Sequence, residues 1–294
     1  MESKIFNEDF FKKLNKIHLN LNLRISKGYQ GGRKSQAKGV SVEFSDFREY
    51  VPGDDFRRID WNAYGRLDKL FIKVFMEERE AVFNIFLDKS KSMDYGEKNK
   101  KNTSLQVVGA LSYIALNNLD RVNVNIIEED KLYELKGGTG KKGFQSILKQ
   151  LETIEFNGKT KLSEAISKRR INNKGVSIIV SDFFCNEGLD TLEQGLKYLA
   201  YKKQEIVLVQ VLCEEEINPS IEDEVTLIDK ETGQNIKLNI NSKVIEEYKK
   251  ALKDFNNKLE NLVKKYNGKV IFVNTNMSLE EIILGEFGRN RVIN

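Results

Sequence analysis

Ala81-Val82-Phe83-Asn84-Ile85-Phe86-Leu87-Asp88-Lys89-Ser90-Lys91-Ser92-Met93 is the stretch on which the fold turns. Its first seven residues form an apolar run of the length expected for a buried strand. Asp88 then stands where strand gives way to loop. In an open α/β sheet, ligands collect at the carboxyl ends of the strands. Asp88, Ser90 and Ser92 alternate along that loop, so their side chains can converge on one point. A carboxylate and two hydroxyls are hard oxygen donors, suited to Mg²⁺ or Mn²⁺ and not to a soft metal. Taken alone, the spacing also describes an ordinary strand-to-helix turn with a capping Ser.

Two later features weigh on that choice. Gly158-Lys159-Thr160 precedes a helical pattern, and Ser181-Asp182 closes a second buried strand, Val176 to Val180. By themselves, Thr160 reads as a helix cap and Asp182 as a strand end. Together with Asp88, Ser90 and Ser92 they resemble, in order, the metal-ion-dependent adhesion site of von Willebrand factor A domains. The resemblance implies one divalent cation, Mg²⁺ or Mn²⁺, held by Asp88, Ser90, Ser92, Thr160 and Asp182. It further implies a protein-binding role, with an acidic residue of another protein completing the metal shell.

Upstream, residues 42–61 interleave charged and aromatic side chains at a density unusual for a loop. Arg48, Arg57 and Arg58 alternate with Asp54, Asp55 and Asp60, Pro52-Gly53 marks a turn, and Trp61 is the only tryptophan. The expectation from these residues is a structural ion-pair network clamping the segment to the core, in which removing Arg58 strands a buried charge. Glu43-Phe44, Arg48-x-Tyr50, Pro52-Gly53-Asp54-Asp55, Arg58-Ile59-Asp60-Trp61 and Arg66 resemble the signature of the DUF58 family, which joins such a segment to a von Willebrand A-like domain. Gly65 stands where that family usually has Ala. The resemblance also implies, as a partner, a MoxR-type AAA+ ATPase.

Strand-helix alternation from 81 to 287 predicts a doubly wound, mostly parallel α/β sheet of Rossmann type, von Willebrand A-like. Within it, an apolar spacing through Leu105, Val108, Leu111 and Ala115 predicts a helix starting near Thr103 or Ser104. We divide the chain into an N-terminal part, 1–80, and a body, 81–294. The N-terminal part, expected to pack on the body, holds a helix with Phe10, Leu14, Ile17 and Leu21 on one face, a basic Gly-rich loop and the signature segment. A β-hairpin insertion is expected at about 214–240, with Glu214-Glu215-Glu216 solvated.

Composition narrows the function. The chain has 294 residues, with 48 basic and 44 acidic side chains and a net charge of +4. That mild balance does not argue for nucleic acid. The loop at 26–39, with four glycines, four basic residues and no acid, is the one stretch that offers a nucleic-acid or phosphate contact. A single histidine, His18, leaves no Ser-His-Asp or Cys-His arrangement, and Cys185 and Cys213 form no metal spacing. No run approaches the ~18 apolar residues of a membrane span, and residues 1–8 lack the apolar core of a signal peptide, so the cytoplasm is expected. The reading is a metal-dependent protein-binding module and not an enzyme. The alternatives are a metal-dependent phosphoester hydrolase and a nucleic-acid-binding protein.

Overall fold

The structure is a computed structural model and describes residues 5–26, 42–77, 81–118, 120–172, 174–184, 188–219, 223–228 and 235–290. Cys185, residues 27–41 of the basic loop and the His18 side chain lie outside the described residues. The chain forms two compact units, one of Met1–Tyr29 with Ala81–Asn294, the other of Gln30–Glu80. The first helix, α1 (Glu8–Ser26), therefore belongs with the body, although the sequence division at residue 80 groups it with the signature segment.

The smaller unit is built on an antiparallel pair, β1 (Val42–Glu49) and β2 (Phe71–Glu77), with the short helix α2 (Trp61–Leu67) between them. The sequence reading had no strand at β1. Its charged residues fall on both faces, so it lacks the alternation that marks a half-buried strand, and a bulge between Phe44 and Asp46 breaks the register. Val51 to Asp54 close a turn in which Gly53 takes φ +108°, a value that glycine adopts without strain.

Among the described residues of this unit, the Arg and Asp side chains do not form the expected shared network. Arg48 forks onto Asp54 at 2.6 and 2.8 Å on the surface. Asp60 is spent on capping α2 and pairing with Lys73 at 3.2 Å, and Asp55 caps the following turn. Arg57 and Arg58 are exposed, and among the described residues neither forms an ion pair. The carboxylates serve local caps, which need only neighbouring N–H groups and no buried partner. Arg58→Ala should therefore leave the melting temperature almost unchanged, within about ±0.5 kcal/mol of stability, as for other surface substitutions. A loss of several degrees in a thermal melt would contradict this.

The body is the doubly wound, mostly parallel α/β sheet expected from the sequence. Its strands are β3 (Val82–Asp88), β4 (Arg121–Glu128), β5 (Lys131–Glu134), β6 (Gly175–Ser181), β7 (Gln204–Leu212) and β10 (Lys269–Asn274), in the order β10-β7-β6-β3-β4-β5. All pairs are parallel except β4 with the edge strand β5. The intervening pair β8 (Asp223–Ile228) and β9 (Asn235–Ile240) forms the hairpin insertion as a separate antiparallel sheet.

Successive β3 side chains face opposite ways, which sorts them into two cores. Ile85 and Leu87 join α1, α3 (Lys100–Asn117), α4 (Gly140–Glu152) and α9 (Glu281–Phe287) in one apolar layer. Phe86 joins α5 (Leu162–Lys168), α6 (Leu189–Tyr201) and α8 (Ser242–Lys264) in the other. Both faces of the sheet are covered, as a parallel sheet requires. The chain leaves β3 for β4 on one side and later returns to β6 on the other, so the carboxyl ends of β3 and β6 flank the topological switch point.

Candidate metal centre

Asp88 ends β3 and is buried. One carboxylate oxygen accepts the Ser90 N–H at 2.9 Å, which curls the following loop back over the strand end. The other accepts the Ser181 hydroxyl at 2.7 Å. Ser90 and Ser92 lie hydroxyl to hydroxyl, 3.1 Å apart. Lys91 N donates to Gly158 O, and Asn157 N to Lys89 O, so two backbone bonds lace this loop to the loop carrying Thr160. Gly158 sits in that second loop at φ +72°.

Burial pushes the Asp88 carboxyl above the ordinary aspartate range, and the charge of Asp182 adds to the effect. Ser181, the Ser90 N–H and Thr160 pull the other way. The Thr160 hydroxyl is thus within reach of Asp88, yet its oxygen is buried and completes no hydrogen bond of good geometry among the described residues. A buried hydroxyl without a partner costs free energy of roughly 1–3 kcal/mol. A hard cation bound among these oxygens would relieve it.

Asp182 follows β6 and is also buried. Its Oδ1 accepts the Phe184 N–H at 3.0 Å. Its Oδ2 accepts the ammonium of Lys100 at 2.9 Å. Phe183, between them, holds φ +61°, a left-handed conformation costly for a bulky residue. The Ser181 hydroxyl takes its N–H, and Gln210 donates to the Asp182 carbonyl, so neighbouring groups hold the strained turn in place.

Hydrogen bonds bring Asp88, Ser90 and Ser92 together after β3, backbone bonds lace that loop to the loop carrying Thr160, and Asp182 follows the adjacent strand β6. Among the described residues no cluster of three or more His, Cys, Asp or Glu is placed for a metal, so a cation here would rest on two carboxylates and three hydroxyls. That donor set suits Mg²⁺ or Mn²⁺.

The sequence reading missed three participants: Ser181, Lys100 and Glu216. Lys100 is fully buried and also meets Glu216 at 2.6 Å. Burial works against its charge, but Asp182 and Glu216 outweigh that and hold the ammonium above the ordinary lysine range. Glu216 lies in a single-turn helix, α7 (Glu214–Ile217), and the acidic triplet there is engaged and not simply solvated. Glu214 accepts from Asn218 and Asn274, both at 2.7 Å. Glu215 takes the Glu97 N–H at 2.7 Å, and Glu216 also takes the Cys213 N–H at 3.0 Å. The buried Cys213 thiol is pushed up to about 12, chiefly by burial and then by Glu216, and so stays uncharged. No helix among the described residues is long and apolar enough to cross a membrane.

Residues 46–258 match the model of a family described as a protein of unknown function, DUF58. The chain is similar to the uncharacterized protein Rv1480 of Mycobacterium tuberculosis, with 22% identity over 227 residues, 75% of this chain and 70% of that one. Among solved structures it is similar to BatB from Bacteroides thetaiotaomicron, with a TM-score of 0.42 and 16% identity over 72% of this chain and 99% of that one. It is also similar to the SpRpn10 VWA domain, with a TM-score of 0.40 and 10% identity over 68% of this chain and 92% of that one.

Proposed function

The chain belongs to the DUF58 family, and from that premise we propose that it is a protein-binding module whose docking point is a divalent cation at the β3–β6 switch point. The observation that carries the reading is the buried Thr160 hydroxyl oxygen, which acts on Asp88 but completes no hydrogen bond of good geometry among the described residues. Asp88 and Asp182 supply charge; Ser90, Ser92 and Thr160 supply neutral oxygens. A bound Mg²⁺ or Mn²⁺ keeps water in the positions that the protein leaves open. The carboxylate of an acidic residue on another protein replaces one such water, and the two proteins are bridged without a reaction. A MoxR-type AAA+ ATPase is the partner we propose, on family resemblance.

Hydrolysis of a phosphoester fits less well. It asks for a second metal ~3.5–4 Å away or a general base beside a metal-bound water. The five oxygen side chains form one cluster, and the only histidine, His18, belongs to α1.

The test is capture of partners from native lysate on immobilised protein, with Mg²⁺ or with EDTA, read by mass spectrometry. Thr160→Ala removes a ligand at no change of charge. It should reduce capture in Mg²⁺ to the level of the wild type in EDTA, and EDTA should add little to the variant. Capture of every partner undiminished in EDTA would leave the cation without a docking role. Metal-dependent turnover of a phosphoester, abolished by Asp88→Ala, would favour the hydrolase.

A further inference from the structure

We infer that Lys100 sets how this site divides its affinity between a divalent cation and the carboxylate of a partner. The inference rests on the docking reading above. Four ionisable side chains are joined in one buried group. Asp88 and Asp182 are both buried at the ends of the adjacent strands β3 and β6, the charge of Asp182 acts on Asp88, and the Lys100 ammonium bridges Asp182 at 2.9 Å to Glu216 at 2.6 Å. Lys100 is wholly shielded from solvent, and the Glu216 side chain is 16% exposed. Other cations of the neighbouring loops stand outside the group: Lys89 pairs with Glu128 at 2.8 Å, Lys161 pairs with Glu164 at 3.1 Å, and Lys91 is exposed. Solvent and salt screen the exposed Lys91 and Lys161 far more than buried charges, and the charge of the largely shielded Lys89 is taken up by Glu128.

Three carboxylates against one ammonium leave two negative charges, which one divalent cation neutralises. An arriving carboxylate then meets a neutral site with an electrophilic ion at its open face. Without Lys100 the same site carries three negative charges. It attracts the cation more strongly, but the loaded site stays negative and repels the arriving carboxylate. Lys100 thereby weakens the hold on the cation and strengthens the hold on the acidic ligand. A residue that only kept Asp182 in place would act on both affinities in the same direction.

Mn²⁺ and acetate serve as probes on the full chain. Electron paramagnetic resonance of free Mn²⁺ gives the cation affinity. Water proton relaxation at bound Mn²⁺, titrated with acetate, reports replacement of metal-bound water by a carboxylate. Lys100→Met should bind Mn²⁺ about tenfold more tightly and require about tenfold more acetate. Glu216→Gln keeps the shape and an oxygen acceptor for Lys100 while removing one negative charge. It should show the opposite pair of shifts, and it carries the test if Lys100→Met fails to fold. Folded variants that leave both constants unchanged, or that weaken both together, overturn the role of Lys100. Failure of the wild type to bind Mn²⁺ at all removes the docking reading itself, and this inference with it.

Discussion

At a Mg²⁺ concentration a hundredfold above the dissociation constant, the protein gains about 2.7 kcal/mol of stability, while the Asp88→Ala, Asp182→Ala double variant gains none. For a chain of this size that is a rise in melting temperature of roughly 5–10 °C. The argument starts from burial. Two carboxylates held close together out of water are costly, and the raised pKa of Asp88 reports that cost. A cation among them removes the repulsion and gives the Thr160 hydroxyl a partner. The double variant keeps only the Lys100–Glu216 pair, with no net negative charge to attract the ion. It also starts from a lower melting temperature, because the Ser181 hydroxyl loses its acceptor and Lys100 retains only Glu216. Thermal melts of both proteins across a Mg²⁺ and a Mn²⁺ titration decide the matter. Equal stabilisation of the two would mean that the cation binds elsewhere.

Gly175→Ala should be the most damaging single-methyl change in the sheet. Gly175 opens β6 opposite Val82 of β3. A Cβ there would stand 2.1 Å from the Val82 carbonyl oxygen, a backbone atom that cannot swing aside. The two central strands would have to part at their amino ends. Overpacking of this kind costs about 3 kcal/mol, or a fall of roughly 6–12 °C in melting temperature for a chain of this size. The same two strands carry Asp88 and Ser181 at their far ends, so the variant should also respond less to Mg²⁺. A melting temperature within a degree of wild type would show that the strands can separate at little cost.

The legible part of the site was the part encoded by short-range pattern. An apolar run ending in Asp announces a strand end, and hydroxyls at the next alternate positions announce a loop that points at it. Thr160 and Asp182 read locally as a helix cap and a strand end, and only the resemblance to the metal-ion-dependent adhesion site singled them out. Lys100 was not. It lies 82 residues from Asp182 and 116 from Glu216, and nothing local distinguishes it from the neighbouring lysines. Asn99 caps Lys101, so α3 begins before the apolar spacing does, and this draws Lys100 into the helix and down to the sheet. Glu216 looked like one acid of a solvated triplet for the same reason: its partners are distant in sequence. In the segment around Arg58 the error ran the other way. Alternating Arg and Asp suggested a shared network, whereas each Asp meets local needs and leaves two of the arginines in water.

The placement of α1 bears on how the protein is made. Its buried residues, Phe10, Leu14 and Ile17, pack with Phe6 against α3 and α9. α9 ends at Phe287, so the surface that receives the helix is completed only after residue 287 has been synthesised. At typical elongation speeds that delay is on the order of tens of seconds. During it, the helix has only α3 to rest on, and the 30–80 unit and most of the sheet separate it in sequence from the rest of its seat. α1 is therefore a late-docking element.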